Sequence, residues 1–268
     1  MRGKIDFLKG TTRNLLTQNQ NFIDGLRLTW LSNSTLQIET GQCYNSTNQS
    51  FMQVTAAITV NIANVGVNGR DGGAEAANTW YYVYLIKNPL TNVVAGLLST
   101  GYPAPTTLPA GYTIFRLLGA IRNNQVSSIY NFYMHGNGRD REVLYRNSVD
   151  LNSDTVGVPS TGLRIGRYTA IGNVAFGAAG SAINAANLIP ISLTRLGIFE
   201  SLSTKASYGF CENLISLRTI YVIVSVVYIT VDFELSTDVN GNIAYESTLA
   251  VAGQDDMSIA VRGYRFTL

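Results

Sequence analysis

From Thr35 onward the apolar positions alternate with polar ones or gather in short unbroken runs, the spacings of half-buried and fully buried strands. Phe51 to Ile62 mixes β-branched with polar residues, and Trp80 to Ile86 is aromatic and branched, so both predict strands. Asn68-Gly-Arg-Asp-Gly-Gly73 lies between them and predicts a turn, because Asn and Gly tolerate positive φ. Asn88-Pro89 ends the second strand, and Val93 to Leu98 can return as its antiparallel partner. The Tyr102 to Gly111 stretch holds Pro103, Pro105 and Pro109, and proline donates no ladder hydrogen bond, so it is expected outside any central strand. Tyr112 to Ile121 and Gln125 to Met134 predict a further hairpin around Asn123-Asn124. His135-Gly-Asn-Gly-Arg-Asp140 predicts a boundary between two halves.

In the second half, turn formers dominate Val156 to Leu163, and the small-residue stretch Gly172 to Ala186 reads as a loop or short helix. Thr219 to Leu235 is the strongest strand signal. It predicts burial on both faces at first and on one later, where Val231, Phe233 and Leu235 alternate with Thr230, Asp232 and Glu234. Asn240-Gly241 predicts a hairpin turn, and Ile243 to Val251 with Met257 to Leu268 an antiparallel set. Residues 1–30 differ: apolar residues are sparse, and Gly10 and Gly25 interrupt any helix. They read as an extended or partly helical arm whose removal leaves the β-structure folded. The expectation is an all-β protein of antiparallel β-sandwich or jelly-roll-like domains, at 31–138 and 139–268, preceded by that arm.

Composition narrows the function. Of the 268 residues 46% are hydrophobic and only 13% charged, about half the usual ~25%. The outer surface must then be largely Asn, Ser, Thr, Gln and Gly, which suits stacked β-structure and assemblies of several subunits. The net charge is +2 with no run of Lys or Arg, so no basic stripe is expected to bind nucleic acid. Arg139 to Arg146 alternates signs through Asp140 and Glu142 and reads as a solvated linker. The longest apolar run, Ile220 to Val231, is too short for a membrane-spanning helix, and the N-terminus has no apolar stretch of signal-peptide length. A soluble protein made in the cytoplasm without conventional secretion is expected. Cys43 and Cys211 lie far apart; a bridge is open to them if the fold allows, but buried free thiols are favoured.

No catalytic, cofactor-binding or metal-binding residue is assigned. His135 is the only histidine, sits among Gly and Asn, and has no nucleophile elbow to serve. Metal sites built on histidine use several His or Cys ligands close together, which this chain lacks. Asp232, Glu234, Asp255 and Asp256 are the carboxylates that glycoside hydrolysis could use, but strand alternation and turn placement make them solvated acids. Asp238-Val-Asn-Gly-Asn242 departs from a calcium loop at the sixth and twelfth positions, Ile243 and Leu249. Gly136-Asn-Gly138 lacks the third glycine of a dinucleotide loop. Among the 15 tyrosines, Tyr102 and Tyr112 flank the Pro-rich loop and are the more exposed candidates for receptor contact, whereas Tyr81, Tyr82, Tyr84, Tyr221 and Tyr228 read as packing residues. The receptor-binding residues stay unassigned.

Ala77-Asn-Thr-Trp-Tyr-Tyr-Val-Tyr-Leu-Ile-Lys-Asn-Pro89 resembles a segment of many bacteriophage tail-fibre and virion structural proteins. The similarity continues through Val94 to Thr100, Leu108-Pro-Ala-Gly-Tyr-Thr-Ile-Phe-Arg116 and Leu118-Gly-Ala-Ile-Arg122. Asn68 to Gly72 takes the place of a Gly/Asp turn, and a weaker similarity extends to Val261 to Phe266. The resemblance covers residues 68–122 and implies a β-structured piece of the adsorption apparatus, commonly trimeric, with no catalytic residue to transfer. It implies a virion protein assembled in the host cytoplasm, with residues 1–30 attaching it to the particle. Its partners would be its own copies, other virion structural proteins and a host surface glycan or protein, with no cofactor, nucleic acid or membrane. A head-vertex or capsid-associated spike is the alternative, and a glycan depolymerase the enzymatic one.

Overall fold

Turn formers recur every few residues, so strands stay short and the chain must change sheet repeatedly to bury their apolar faces. A computed structural model describes residues 21–146, 164–165, 169–171, 182–186, 188–203, 206–211, 219–223, 229–238, 241–249 and 257–268. The strands are β1 (Ile23–Gly25), β2 (Leu28–Trp30), β3 (Thr35–Ile38), β4 (Gly41–Tyr44), β5 (Phe51–Val54) and β6 (Ile58–Asn61). They continue with β7 (Gly69–Arg70), β8 (Thr79–Lys87), β9 (Val94–Ser99), β10 (Ile114–Asn123), β11 (Phe132–His135) and β12 (Asp140–Tyr145). Then come β13 (Arg164–Ile165), β14 (Thr169–Ile171), β15 (Ala182–Asn184), β16 (Thr194–Ser203) and β17 (Ala206–Cys211). β18 (Thr219–Ile223), β19 (Ile229–Leu235), β20 (Asn242–Leu249) and β21 (Met257–Thr267) complete the order. There is no helix among the described residues, and almost every pairing is antiparallel. The protein is all-β and sandwich-like, as the periodicity predicts.

Two small sheets, β1-β4-β5 and β2-β3-β6, are woven from the first strands. The chain crosses between them at Gly25, opposite Gly41. A Cβ on Gly25 would stand 2.4 Å from the Thr40 carbonyl oxygen, and its φ is +66°, so only glycine fits this corner. Ile23, Leu26 and Leu28 are buried here. Residues 21–30 therefore belong to the folded layers, which corrects the arm boundary at 30; residues 1–20 lie outside the described residues. Within 21–30, Ile23 and Leu28 each supply one inward side chain to a short strand.

The central sheet, β10-β8-β9-β7, is covered on both faces. Tyr81 to Ile86 of β8 are all buried. On one side, β9 meets the small sheets so closely that a Cβ on Gly96 would lie 2.3 Å from Val60 and 3.0 Å from Ile38. On the other, the Pro-rich loop folds back: Tyr82 packs on Tyr102 at 5.1 Å between ring centroids, and the Tyr84 hydroxyl donates to Gly101 at 2.7 Å. β8 pairs with β9 as expected. The second expected hairpin does not form. β10 pairs with β8 and keeps only the Asn123–Ile129 bridge to the segment after it, because β11 leaves to pair with β12.

The largest sheet follows the path β11-β12-β21-β16-β19. Residues 136–139 are the turn between β11 and β12, and β12 pairs with β21. The expected domain boundary at 138/139 is thus a hairpin inside one sheet, since the end of the chain returns to complete it. The Tyr264 hydroxyl donates to the Ala120 carbonyl at 3.1 Å, and the Trp80 indole donates to Ala186 at 3.0 Å. Residues from Ile23 to Phe266 form one continuous core.

The fourth sheet, β15-β20-β17-β18, takes strands that the sequence assigned differently. Thr219 to Leu235 is not one strand: β18 joins this sheet and β19 the largest one. Gly241 donates to Asp238 in a turn, but β19 and β20 then diverge, so it is a corner between sheets rather than a hairpin; Asn240 lies outside the described residues. β20 and β21 likewise separate. Ala182 to Asn184 is a strand, while 172–181 and Val156 to Leu163 lie outside the described residues.

Candidate functional site

Alternation along β11 and β12 turns Phe132, Met134, Val143 and Tyr145 into the core and leaves Tyr133, His135 and Glu142 on the opposite face. Register then sets a row across the sheet: His135 faces Glu142, Glu142 faces Arg265, and Arg265 faces Leu196. The hairpin tip needs a glycine, because a Cβ on Gly136 would lie 2.3 Å from the Asp140 carbonyl oxygen and its φ is +91°.

Arg265 spans this face. Its Nε donates to Glu142 at 2.6 Å and its Nη1 to Glu234 at 2.9 Å, tying β12 to β19 across two intervening strands. The hydrogen bond that Arg265 donates to Glu142 and the charges of both carboxylates raise the Arg265 pKa. Beside it the Thr267 hydroxyl donates to Asp140 at 2.6 Å. The rings of Tyr133 and His135 stack with centroids 6.2 Å apart, and the Arg146 guanidinium lies 3.3 Å from the Tyr133 ring centre. Of these groups His135, Asp140, Glu142, Arg265 and Thr267, together with Leu196, wall a cleft of about 380 Å³.

The sequence candidates scatter around this cleft. His135 stands on its wall, in a hairpin rather than a linker. Glu234 reaches Arg265, the side chain of Asp232 is not among those described, and Asp255 and Asp256 lie outside the described residues. Glu142 and Glu234 hold one guanidinium between them instead of flanking an open gap, an arrangement unlike the facing acids of hydrolysis. Tyr102 is exposed but rests on Tyr82, and Tyr112 packs against the core. Cys43 is a buried free thiol; burial pushes its pKa up to about 12, against the opposing charge of Arg116. The Cys211 side chain is not among those described. Asp238 is bonded to Asn242 within its turn. Among the described residues no group of three His, Cys, Asp or Glu could hold a metal ion.

Arg265 and Glu142 were not legible as site residues. The cue was the alternation of Asp140, Glu142 and Leu144 against Val143 and Tyr145, which Arg141 obscures by pointing inward. Arg141 is buried, donates to the Gly25 carbonyl at 2.6 Å, and has its pKa lowered to about 10, mainly by desolvation. No known protein-family profile matches the chain, and no curated protein matches it significantly in sequence.

Proposed function

We propose that the chain is a non-enzymatic structural protein of a bacteriophage particle, a tail-fibre or host-attachment component that assembles as a homotrimer. The observation that carries this reading is the coincidence of residues 68–122, which resemble tail-fibre and virion structural proteins, with one structural unit. Those residues supply β7 to β10, all but the last residue of β10, and the loop that covers them. Self-association is supported by exposed apolar side chains, among them Phe51, Val93 and Leu90, the last 90% exposed. Low overall charge also favours subunit interfaces, which are depleted in charge at their centres. In this reading the N-terminal residues dock the protein on other virion components, and a host surface glycan or protein is the target.

Immunogold labelling of particles from the encoding phage tests the proposal, with label expected at the tail tip. Label at a head vertex would replace it with the spike reading, and absence from purified particles would overturn both. Release of reducing sugar from host polysaccharide by the purified protein would overturn the non-enzymatic part.

A further inference from the structure

We propose that the open edge of β5 is a docking site for residues 11–17 of a second copy, which join it as an added antiparallel strand. The inference rests on the self-association reading above and names the contact that holds the copies together. Three observations carry it.

The first is an edge left unpaired. In the sheet β1-β4-β5, β5 has a partner strand on one side only. The Asn45 N–H donates to the Ser50 carbonyl, and the Tyr44 N–H donates away from β5 to Phe22. Ladder alternation therefore turns the backbone groups of Phe51 and Gln53 to the open side. The Phe51 carbonyl accepts from Lys87 Nζ at 3.0 Å. Among the described residues, the Phe51 and Gln53 N–H groups and the Gln53 carbonyl have no backbone partner. Edge strands are commonly blunted by a charge, a proline or a bulge, and Phe51-Met-Gln-Val54 carries none of these. A groove of about 250 Å³ lies along this edge, lined by Phe51, Gln53, Thr55, Lys87, Asn92 and Val94.

The second is where the apolar rows stop. Register places Ile23, Cys43 and Met52 in one row on the buried face. Alternation places Phe22, Tyr44 and Phe51 in the neighbouring row on the outer face. Phe22 and Tyr44 are half-buried. Phe51, whose ring packs edge-on against Tyr44 at 5.8 Å, is 42% exposed. Both rows end at β5, on consecutive residues.

The third is a segment that continues both rows. Leu15 and Leu16 are consecutive apolar residues among Thr11, Thr12, Arg13, Asn14 and Thr17. In an extended strand they point to opposite faces, so each lengthens one row. An antiparallel approach sets Leu16 opposite Phe51, Leu15 opposite Met52 and Asn14 opposite Gln53. The stretch has no Pro, Gly or acid, and its threonines favour a strand. The described residues begin at Asn21, whose N–H donates to Asn48 Oδ1 at 2.6 Å, so residue 20 joins the fold at the β4–β5 turn. In that register Leu16 and Phe22 of one chain would stand three strand spacings apart, roughly 15 Å. The link between them reaches about 20 Å when straight, which leaves little slack for passing around the turn. A neighbour is under no such tether. Contacts in a homotrimer are also heterologous, so β5 meets a different part of the next copy. Residues 1–10 stay available for other virion components.

The test is a disulfide across this register, made in the full-length chain as Gln53→Cys with Asn14→Cys. Opposed residues of paired strands lie within bonding reach. Each copy gives one strand and receives one, so oxidation is expected to yield a covalent trimer on a non-reducing gel, with the joined peptides identified by mass spectrometry. Gln53→Cys with Arg13→Cys, whose side chains point to opposite faces, should cross-link far less. The proposal is overturned by absence of the cross-link, by a cross-link within one chain, by dimers from Gln53→Cys alone, or by equal yields at positions 13 and 14. Leu16→Asp gives a second reading without new cysteines. It is expected to abolish the trimer mass in light scattering and to speed exchange of the β5 amides by about tenfold or more, because an unpaired edge opens at little cost. Unchanged mass and exchange would overturn the proposal as well. A monomeric native chain would remove the homotrimer reading and this inference together, whereas a trimer that does not cross-link would remove this inference alone. Strand exchange in a protein absent from particles would keep the contact and reject the virion reading.

Discussion

The central sheet and the largest sheet are built from the same antiparallel ladder but differ in how many faces are covered. In the central sheet, Tyr81 to Ile86 and Ala95 to Ser99 are consecutive buried residues, with layers on both sides. In the largest sheet, β11 alternates buried and exposed residues and β12 buried and partly exposed ones. The closed sheet gives stability. The open face gathers charged side chains into a row and forms a cleft. Function in this protein is thus expected where one layer is missing, and stability where none is.

Substitutions on the two sides should separate these roles. The largest effect is expected from deleting residues 1–30, which removes the buried Ile23, Leu26 and Leu28. Each such side chain is worth about 2–5 kcal/mol on truncation, and domains are stable by only ~5–15 kcal/mol in total. The truncated chain should show no cooperative melt; a native circular-dichroism spectrum with a sharp transition would remove these strands from the core. Next in size is Tyr264→Ala, which empties the junction where the two sheets meet Trp80, Tyr145 and Phe266. A loss of roughly 3–5 kcal/mol is expected in chemical denaturation, as for other large buried aromatics.

A smaller, pH-dependent effect should come from Cys43, buried under the closed side. Its folded pKa is raised from 9.0 to about 12. Below pH 9 both states keep the proton. As pH climbs from 9 toward 12, the unfolded thiol ionises while the folded one does not, so stability falls. Melting curves at pH 8 and pH 11 should show the Cys43→Ala chain losing less stability over that interval than the native one, and an equal loss would place the thiol near solvent. The smallest effect belongs to the open face. Arg265→Gln breaks two exposed ion pairs, and such pairs contribute about 0–1 kcal/mol each. Its melting temperature should barely move, and a loss as large as that of Tyr264→Ala would mean that this face is covered.

Asn-Gly-Arg-Asp occurs twice, and its two fates show how much local sequence can say. At 68–71, Asn68 takes a φ of +59° and exchanges hydrogen bonds with Gly96, while Arg70 is buried and donates to the Ile62 carbonyl. At 137–140, Asn137 instead accepts from Gly25 and donates to Asp24, and Arg139 stays exposed beside the Leu268 carbonyl. The second copy turns into β12 at Asp140, whereas at 68–71 only Asn68 belongs to the turn and Gly69–Arg70 form the short strand β7, where a turn was expected. What surrounds each turn decided which arginine went inside, and an arginine indoors at 70, 116, 122 and 141 is not visible in a hydropathy pattern.

By itself the sequence determined strand character, the places where the chain turns, the β8–β9 hairpin and the all-β class, because these depend on side-chain shape, φ preference and a two-residue period. Tertiary structure decided which strands became neighbours. β12 and β21 are more than a hundred residues apart and pair because the apolar faces they bury belong to one core, while β19 and β20, adjacent in the chain, part at a corner. The row of His135, Glu142, Arg265 and Leu196 exists only through that pairing, since register across a sheet is a contact between distant segments and leaves no mark in the order of residues along any one of them.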